Sequence, residues 1–119
     1  MKILFAEDDL ILQKLHGEFL DNLGYSFDIA SNCLEAVALA LKNEGQYDLC
    51  LMDVEMPKMN GIEATKLIRR SGKHIPIIAC SSNNNYKNAC YKAGMDDFIN
   101  KPCPYNVLFT KINELLEKP

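Results

Sequence analysis

The sequence predicts a doubly wound α/β domain on five parallel strands, and three observations predict it. Short apolar runs alternate with helical periods along the whole chain. Residues 3–6 and 75–79 are continuously apolar, as strands covered on both faces should be. No repeat, linker or low-complexity tract divides the 119 residues, a length suited to one domain spanning 1–119.

The first strand is read over residues 3–6. A helix follows in which Ile11, Leu15, Phe19 and Leu23 recur every four residues, with Gly24 as its stop. Residues 27–30 form the second strand. Asn32 followed by Glu35 resembles a capping box leading into Ala36, Val37, Ala40 and Leu41. The third strand is 49–52, and the helix 61–70 carries Ile62, Leu67 and Ile68. The fourth strand is 75–80, followed by a polar loop over 81–85. A weaker helix over 84–93 shows Tyr86, Ala89, Cys90 and Ala93 and ends at Gly94. The fifth strand is 98–99. The last helix carries Tyr105, Leu108, Phe109, Ile112, Leu115 and Leu116, a stripe read as core because a small domain needs that burial for itself. Parallel neighbours require crossover helices, and right-handed crossovers cover both faces of the sheet. Strand order is not fixed by periodicity.

Hydrophobic residues make up 48% of the chain and charged residues 24%, the balance of a globular protein in water. A net charge of −3 gives no electrostatic reason to expect nucleic acid or an anionic membrane as partner. Residues 3–6 are too short for a signal-peptide core, and no stretch approaches the roughly 20 apolar residues that span a bilayer. The five cysteines, Cys33, Cys50, Cys80, Cys90 and Cys103, contain no C-x-x-C pair. They read as small core residues in a reducing cytosol, so the expected location is cytoplasmic.

In an open parallel sheet, functional groups collect beyond the carboxyl ends of the strands. Glu7, Asp8 and Asp9 follow the first strand, Asp53 the third, Ser81 and Ser82 the fourth, and Lys101 the fifth. Singly, each has a plain explanation. Asp9 could cap the first helix, Asp53 could open a turn, a serine could cap the fourth helix, and Lys101 could be a solvated lysine. Together they fit one chemistry. Clustered carboxylates need an opposing charge, and Mg²⁺ suits a site of one or two carboxylates with water and phosphate oxygens. Asp53 is then the nucleophile toward phosphorus, Asp8 the metal anchor, Lys101 the cation and Ser81 the hydroxyl that stabilises the transferring group.

Two stretches carry a resemblance: Met52-Asp53-Val54-Glu55-Met56-Pro57-Lys58-Met59-Asn60-Gly61 and Ala93-Gly94-Met95-Asp96-Asp97-Phe98-Ile99-Asn100-Lys101-Pro102. With Glu7-Asp8-Asp9 they make the chain resemble, over nearly its full length, the receiver domains of response regulators in two-component and phosphorelay signalling. The resemblance implies a flavodoxin-like (βα)5 fold with strand order 2-1-3-4-5. It implies that Asp53 is the phosphoacceptor, that Asp8 binds Mg²⁺ directly and Glu7 through water, and that Glu55 offers its backbone carbonyl. Mn²⁺ is an admissible substitute. Lys101 matches the family's lysine, with a cis bond to Pro102. Ser81 matches the switch hydroxyl, and Phe98 the aromatic expected to swing inward when Ser81 moves.

The family also implies partners: a sensor histidine kinase or histidine phosphotransfer domain as donor, and a downstream protein at the surface of the fourth helix, fifth strand and fifth helix. The expected state is a monomer or a weak phosphorylation-dependent dimer, and not an enzyme beyond its own phosphorylation and slow dephosphorylation. The sequence departs from the family at several places. Pro104 adds a second proline before the last helix, Ser82 stands where alanine is frequent, Phe98 lacks a tyrosine hydroxyl, and 83–85 is all asparagine. Glu55 and Asn83 occupy flanking positions that tune phosphoryl lifetime in the family.

A small phosphohydrolase of haloacid-dehalogenase-like type is the alternative from another class. Glu7-Asp8-Asp9-Leu10 lacks that family's spacing, and no cap segment is present. A binding module without phosphorylation is disfavoured because every acceptor-site group is present. No output module follows the final helix, so the expectation is a stand-alone receiver, mildly favoured by the initial methionine, or one excised from a hybrid histidine kinase.

Overall fold

The computed structural model describes residues 2–42, 47–56, 60–72, 74–101 and 104–117. In chain order the elements are β1 (Lys2–Ala6), α1 (Leu10–Asn22), β2 (Ser26–Ala30), α2 (Cys33–Lys42) and β3 (Leu49–Asp53). There follow α3 (Gly61–Arg70), β4 (Ile77–Ser81), a tight helical turn (Asn84–Tyr86), α4 (Lys87–Ala93), β5 (Asp97–Asn100) and α5 (Tyr105–Glu117). All pairings are parallel and the order is β2-β1-β3-β4-β5. The expected architecture and order are therefore both present.

The period of two in the strands divides the core. Leu4, Ala6, Cys50, Met52, Ile77, Ala79 and Phe98 face a cluster with Ala36 and Ala40 of α2, Ala64 and Ile68 of α3 and Cys90 of α4. Ile3, Phe5, Leu49, Leu51, Ile78 and Ile99 face the other cluster, with Leu20 of α1 and Leu108, Ile112 and Leu115 of α5. Both faces of β1 and β4 are covered, which explains why residues 3–6 and 75–79 read as continuously apolar.

Several elements differ from the sequence reading in detail. β4 starts at Ile77 rather than 75 because Pro76 has no N–H to donate; its carbonyl still accepts from Cys50 N at 2.8 Å. In α1 the row Ile11, Leu15, Phe19, Leu23 is not the buried face, since Ile11 is 71% exposed and Leu15 45%. The helix instead sets Gly17 and Leu20 on the sheet, with Gly17 under the Phe27 ring. The predicted 84–93 helix is split. The Asn83 side chain accepts from Asn85 N at 2.9 Å, which favours a tight turn over 84–86 and delays α4 to Lys87. Of its expected apolar face only Cys90 and Ala93 are buried.

The α5 stripe is core in part. Leu108, Ile112 and Leu115 are buried, whereas Tyr105 and Phe109 are each 39% exposed. The helix leans on the sheet along one narrow row, so the flanking aromatics stay at the surface. The expected capping box is formed in one half: Glu35 N donates to Asn32 Oδ1 at 2.9 Å, whereas the Glu35 carboxylate accepts from Ser31 N at 3.1 Å, one residue ahead of the N-cap. Cys33, Cys50 and Cys90 are free and buried. Pro57, Lys58, Pro102 and Cys103 lie outside the described residues, and with them the expected cis bond before Pro102. Among the described residues no helix is long and apolar enough to cross a membrane.

Candidate functional site

The register that aligns the strands also brings their carboxyl ends together. Ala6 pairs with Met52, Asp53 with Cys80 and Ser81 with Asn100, so the residues just beyond each end share one rim. Glu7 is 2% exposed and Asp53 3%, while Asp8 stands in solvent. Carboxylate oxygens of Glu7, Asp8 and Asp53 all lie within 4.8 Å of one another.

Lys101 closes the cluster from β5. Its Nζ donates to Glu7 Oε1 at 2.8 Å and lies 3.0 Å from Asp53 Oδ2. Its backbone N–H donates to Ser81 O at 2.9 Å, which fixes where the side chain begins. Asp53 Oδ1 accepts from Glu55 N at 3.1 Å, a turn bond that orients the carboxylate. Gly61, at the start of α3, has no room for a side chain, since a Cβ there would lie 2.6 Å from Asp53 O. Close approach of α3 to the end of β3 explains the glycine.

Electrostatics at the rim are uneven. Burial and the neighbouring Glu7 carboxylate push Asp53 up to about 7, against the pull of Lys101. Burial pushes Glu7 the same way, but its hydrogen bonds to Lys101 and Asp53 win and hold it below the ordinary carboxylate range. Lys101 is held above its usual value by both carboxylates despite burial. Three carboxylates facing one ammonium leave two negative charges in excess when all are ionised. A divalent cation with a taste for oxygen fits that donor set and that charge.

Asp9 has the plain role. Its Oδ1 accepts from Ile11 N at 2.8 Å and Leu12 N at 3.2 Å, capping α1. Ser81 is fully buried and caps nothing; its Oγ donates to Glu55 Oε1 at 2.5 Å and accepts from Asn83 N at 3.0 Å. Phe98 is already buried, at 7% exposure, in the cluster with Ala79 and Cys90. The expected inward swing therefore has no outward starting point here: without a hydroxyl the ring buries at no hydrogen-bonding cost. Sequence reasoning placed Glu55 at a flanking position but missed its bonds to the serines: its Oε2 also accepts from Ser82 Oγ at 3.2 Å. Its only signal was an acid two residues beyond the strand-end aspartate.

Comparison with known proteins follows the same line. The family model for the response regulator receiver domain matches residues 3–113. Hybrid signal transduction histidine kinase B of Dictyostelium discoideum is 40% identical over 85% of the chain, which spans only 6% of that kinase's length. Two-component response regulator 24 of Arabidopsis thaliana is 36% identical, over 94% of the chain and 81% of its own length. A receiver domain of a Pseudomonas aeruginosa sensor histidine kinase, solved with magnesium in its active-site cleft, superposes with a TM-score of 0.88. It shares 30% identity and covers 98% of each chain. The receiver domain of a Saccharomyces cerevisiae response regulator, solved with its histidine phosphotransfer protein, gives 0.84 at 30% identity over 97% of this chain and 88% of its own.

Proposed function

The chain belongs to the response regulator receiver domain family of phosphorelay signalling, and on that premise we propose that Asp53 accepts a phosphoryl group from a phosphohistidine donor. The observation that carries this is a buried carboxylate at the end of the central strand whose Oδ2 lies 3.0 Å from Lys101 Nζ. In the reaction an Asp53 oxygen attacks phosphorus in line while the P–N bond to the donor imidazole breaks. The bonding electrons leave with the imidazole nitrogen, and the product is an acyl phosphate.

Lys101 stabilises charge on the transferring oxygens and keeps Asp53 from repelling them. Mg²⁺, when bound, would be held by Asp8, Asp53 and the Glu55 carbonyl, with Glu7 acting through water, and would neutralise the acceptor and the phosphoryl group. Ser81 turns its hydroxyl to the new phosphoryl oxygens. Its movement disturbs the packing of β4 against β5, where Ala79 pairs with Phe98, and so reaches the α4–β5–α5 surface. Such a domain catalyses its own phosphorylation and slow hydrolysis and turns over no other substrate.

The donor fits the N-terminal end of α1, where Leu10 and Ile11 are 76% and 71% exposed beside the acidic rim. Large apolar side chains at a helix start suit a helical phosphotransfer partner. Buried free thiols at Cys33, Cys50 and Cys90 support a cytoplasmic setting. Incubation with a low-molecular-weight phosphodonor and Mg²⁺ tests the acceptor: the native chain gains one base-labile phosphoryl group that hydroxylamine removes, and Asp53→Asn gains none. Undiminished labelling of Asp53→Asn would remove the assignment.

A further inference from the structure

The Glu55 side chain has no role in the proposed transfer, yet it makes the shortest polar contact at the rim. Its Oε1 accepts from Ser81 Oγ at 2.5 Å and its Oε2 from Ser82 Oγ at 3.2 Å. One carboxylate thus ties the segment after β3 to both serines at the end of β4. Ser81 Oγ already accepts from Asn83 N at 3.0 Å, and the Asn83 carbonyl, at 3.3 Å, is a longer second acceptor, so the single proton held on Glu55 is the part free to change partner.

We propose that the Glu55 carboxylate is an internal competitor for the Ser81 hydroxyl, a latch that phosphorylation of Asp53 must open. The inference rests on Asp53 being the acceptor. A phosphoryl group on Asp53 places dianionic oxygens near a hydroxyl that can donate to only one of the two acceptors. One O–H···O bond, to Glu55, is exchanged for another, to a phosphoryl oxygen, and no covalent bond changes. Like charge between the phosphoryl group and Glu55 favours the exchange. Glu55 is exposed, so the released carboxylate is hydrated at little cost. Ser82 is released with it, and the β4–α4 connection loses the two ties that Glu55 makes to it.

Beryllofluoride with saturating Mg²⁺, a mimic of the phosphoryl group on a carboxylate, reads the competition as a binding constant on the full chain. Glu55→Ala should tighten it about three- to tenfold, the equivalent of one modest hydrogen bond. In a Ser81→Ala background the same substitution should change it less than about twofold, because no hydroxyl remains to compete for. Equal tightening in both backgrounds would mean simple charge repulsion and overturn the latch, as would no tightening with Ser81 present. Ser82→Ala, which removes only the longer bond, gives a second reading. It should tighten binding up to about twofold with Glu55 present and not at all in Glu55→Ala; the reverse overturns the proposal. A native chain that does not bind beryllofluoride would overturn the acceptor assignment itself, a result separate from binding without coupling.

Discussion

Lys101 and Asp53 meet at 3.0 Å although β4 lies between the strands that carry them. The lysine reaches across because its backbone N–H is held on Ser81 O, at the end of that intervening strand. The same ammonium bonds Glu7, so a single cation answers two buried carboxylates.

Replacing Lys101 with methionine keeps an unbranched side chain, one atom shorter, and removes the charge. Phosphoryl transfer to Asp53 from a small donor should fall by about 100-fold or more, as when one preorganised charge is lost from such a site. Stability should fall too, by about 1–3 kcal/mol at pH 8, because buried carboxylates are left without their partner. The sign with pH follows from Asp53, whose folded value lies above its ordinary one even with Lys101 present. An acid raised on folding is a liability above its unfolded value and none below it, so the penalty should shrink toward pH 4. Denaturant unfolding of both chains at pH 4, 6 and 8 measures this; a penalty that grows toward acid would contradict it.

Metal binding should be coupled to a proton. Burial and Glu7 push Asp53 up to about 7, so near neutrality a fraction of molecules carries a proton on the oxygen that a cation would need. Mg²⁺ affinity should therefore rise between about pH 6 and 8 and level off above, with proton release on binding. Calorimetry in two buffers of different ionisation enthalpy counts the protons: up to one at pH 6, almost none at pH 9. Asp53→Asn should abolish the release.

The alternation of strands and helices was legible because burial on both faces makes the runs that become β1 and β4 continuously apolar, and their shortness between helical periods marks them as strands. Asp8, Asp53, Ser81 and Lys101 were legible as strand-end residues whose chemistry only makes sense jointly. Three things were not. The rotation of α1 about its axis depends on Gly17 meeting Phe27, a contact across elements that periodicity within α1 does not contain. The late start of α4 depends on an asparagine side chain outcompeting the backbone. The Glu55–Ser81 bond joins residues 26 apart in sequence through side chains alone, and neither residue type announces the other.

Gly61 should be intolerant of the smallest substitution. A Cβ at this position would meet Asp53 O at 2.6 Å, Met52 Cγ at 2.9 Å and Val54 Cα at 3.0 Å, two of them backbone atoms that cannot swing away. Gly61→Ala should cost about 1–3 kcal/mol and displace the acceptor strand, lowering transfer to Asp53. Gly17→Ala is the control, since its Cβ would press only on the Phe27 ring, at 3.0 Å, and a ring edge can give. Thermal unfolding and phosphodonor labelling of the two variants should separate them; equal losses would show that the close approach at Asp53 is not the reason for the glycine.

The donor's docking face should be separable from the chemistry by substitution. Leu10 and Ile11 open α1 directly after the Asp9 cap, so their positions are fixed by the same backbone that places Glu7 and Asp8. Neither takes part in the buried core and both are more than two-thirds exposed, so they are available to the helical donor proposed above. Burying each is worth roughly 1.5–3 kcal/mol, so Leu10→Ser with Ile11→Ser should weaken transfer from a histidine phosphotransfer domain by at least about tenfold at subsaturating donor. Labelling by a low-molecular-weight phosphodonor, which needs no docking face, should stay within about twofold of the native rate, and the unfolding midpoint should hold because little buried area is lost. If both donors slow together, the substitutions have disturbed the rim through Asp9 and the acidic pair, and the apolar end of α1 is not the surface that selects the partner.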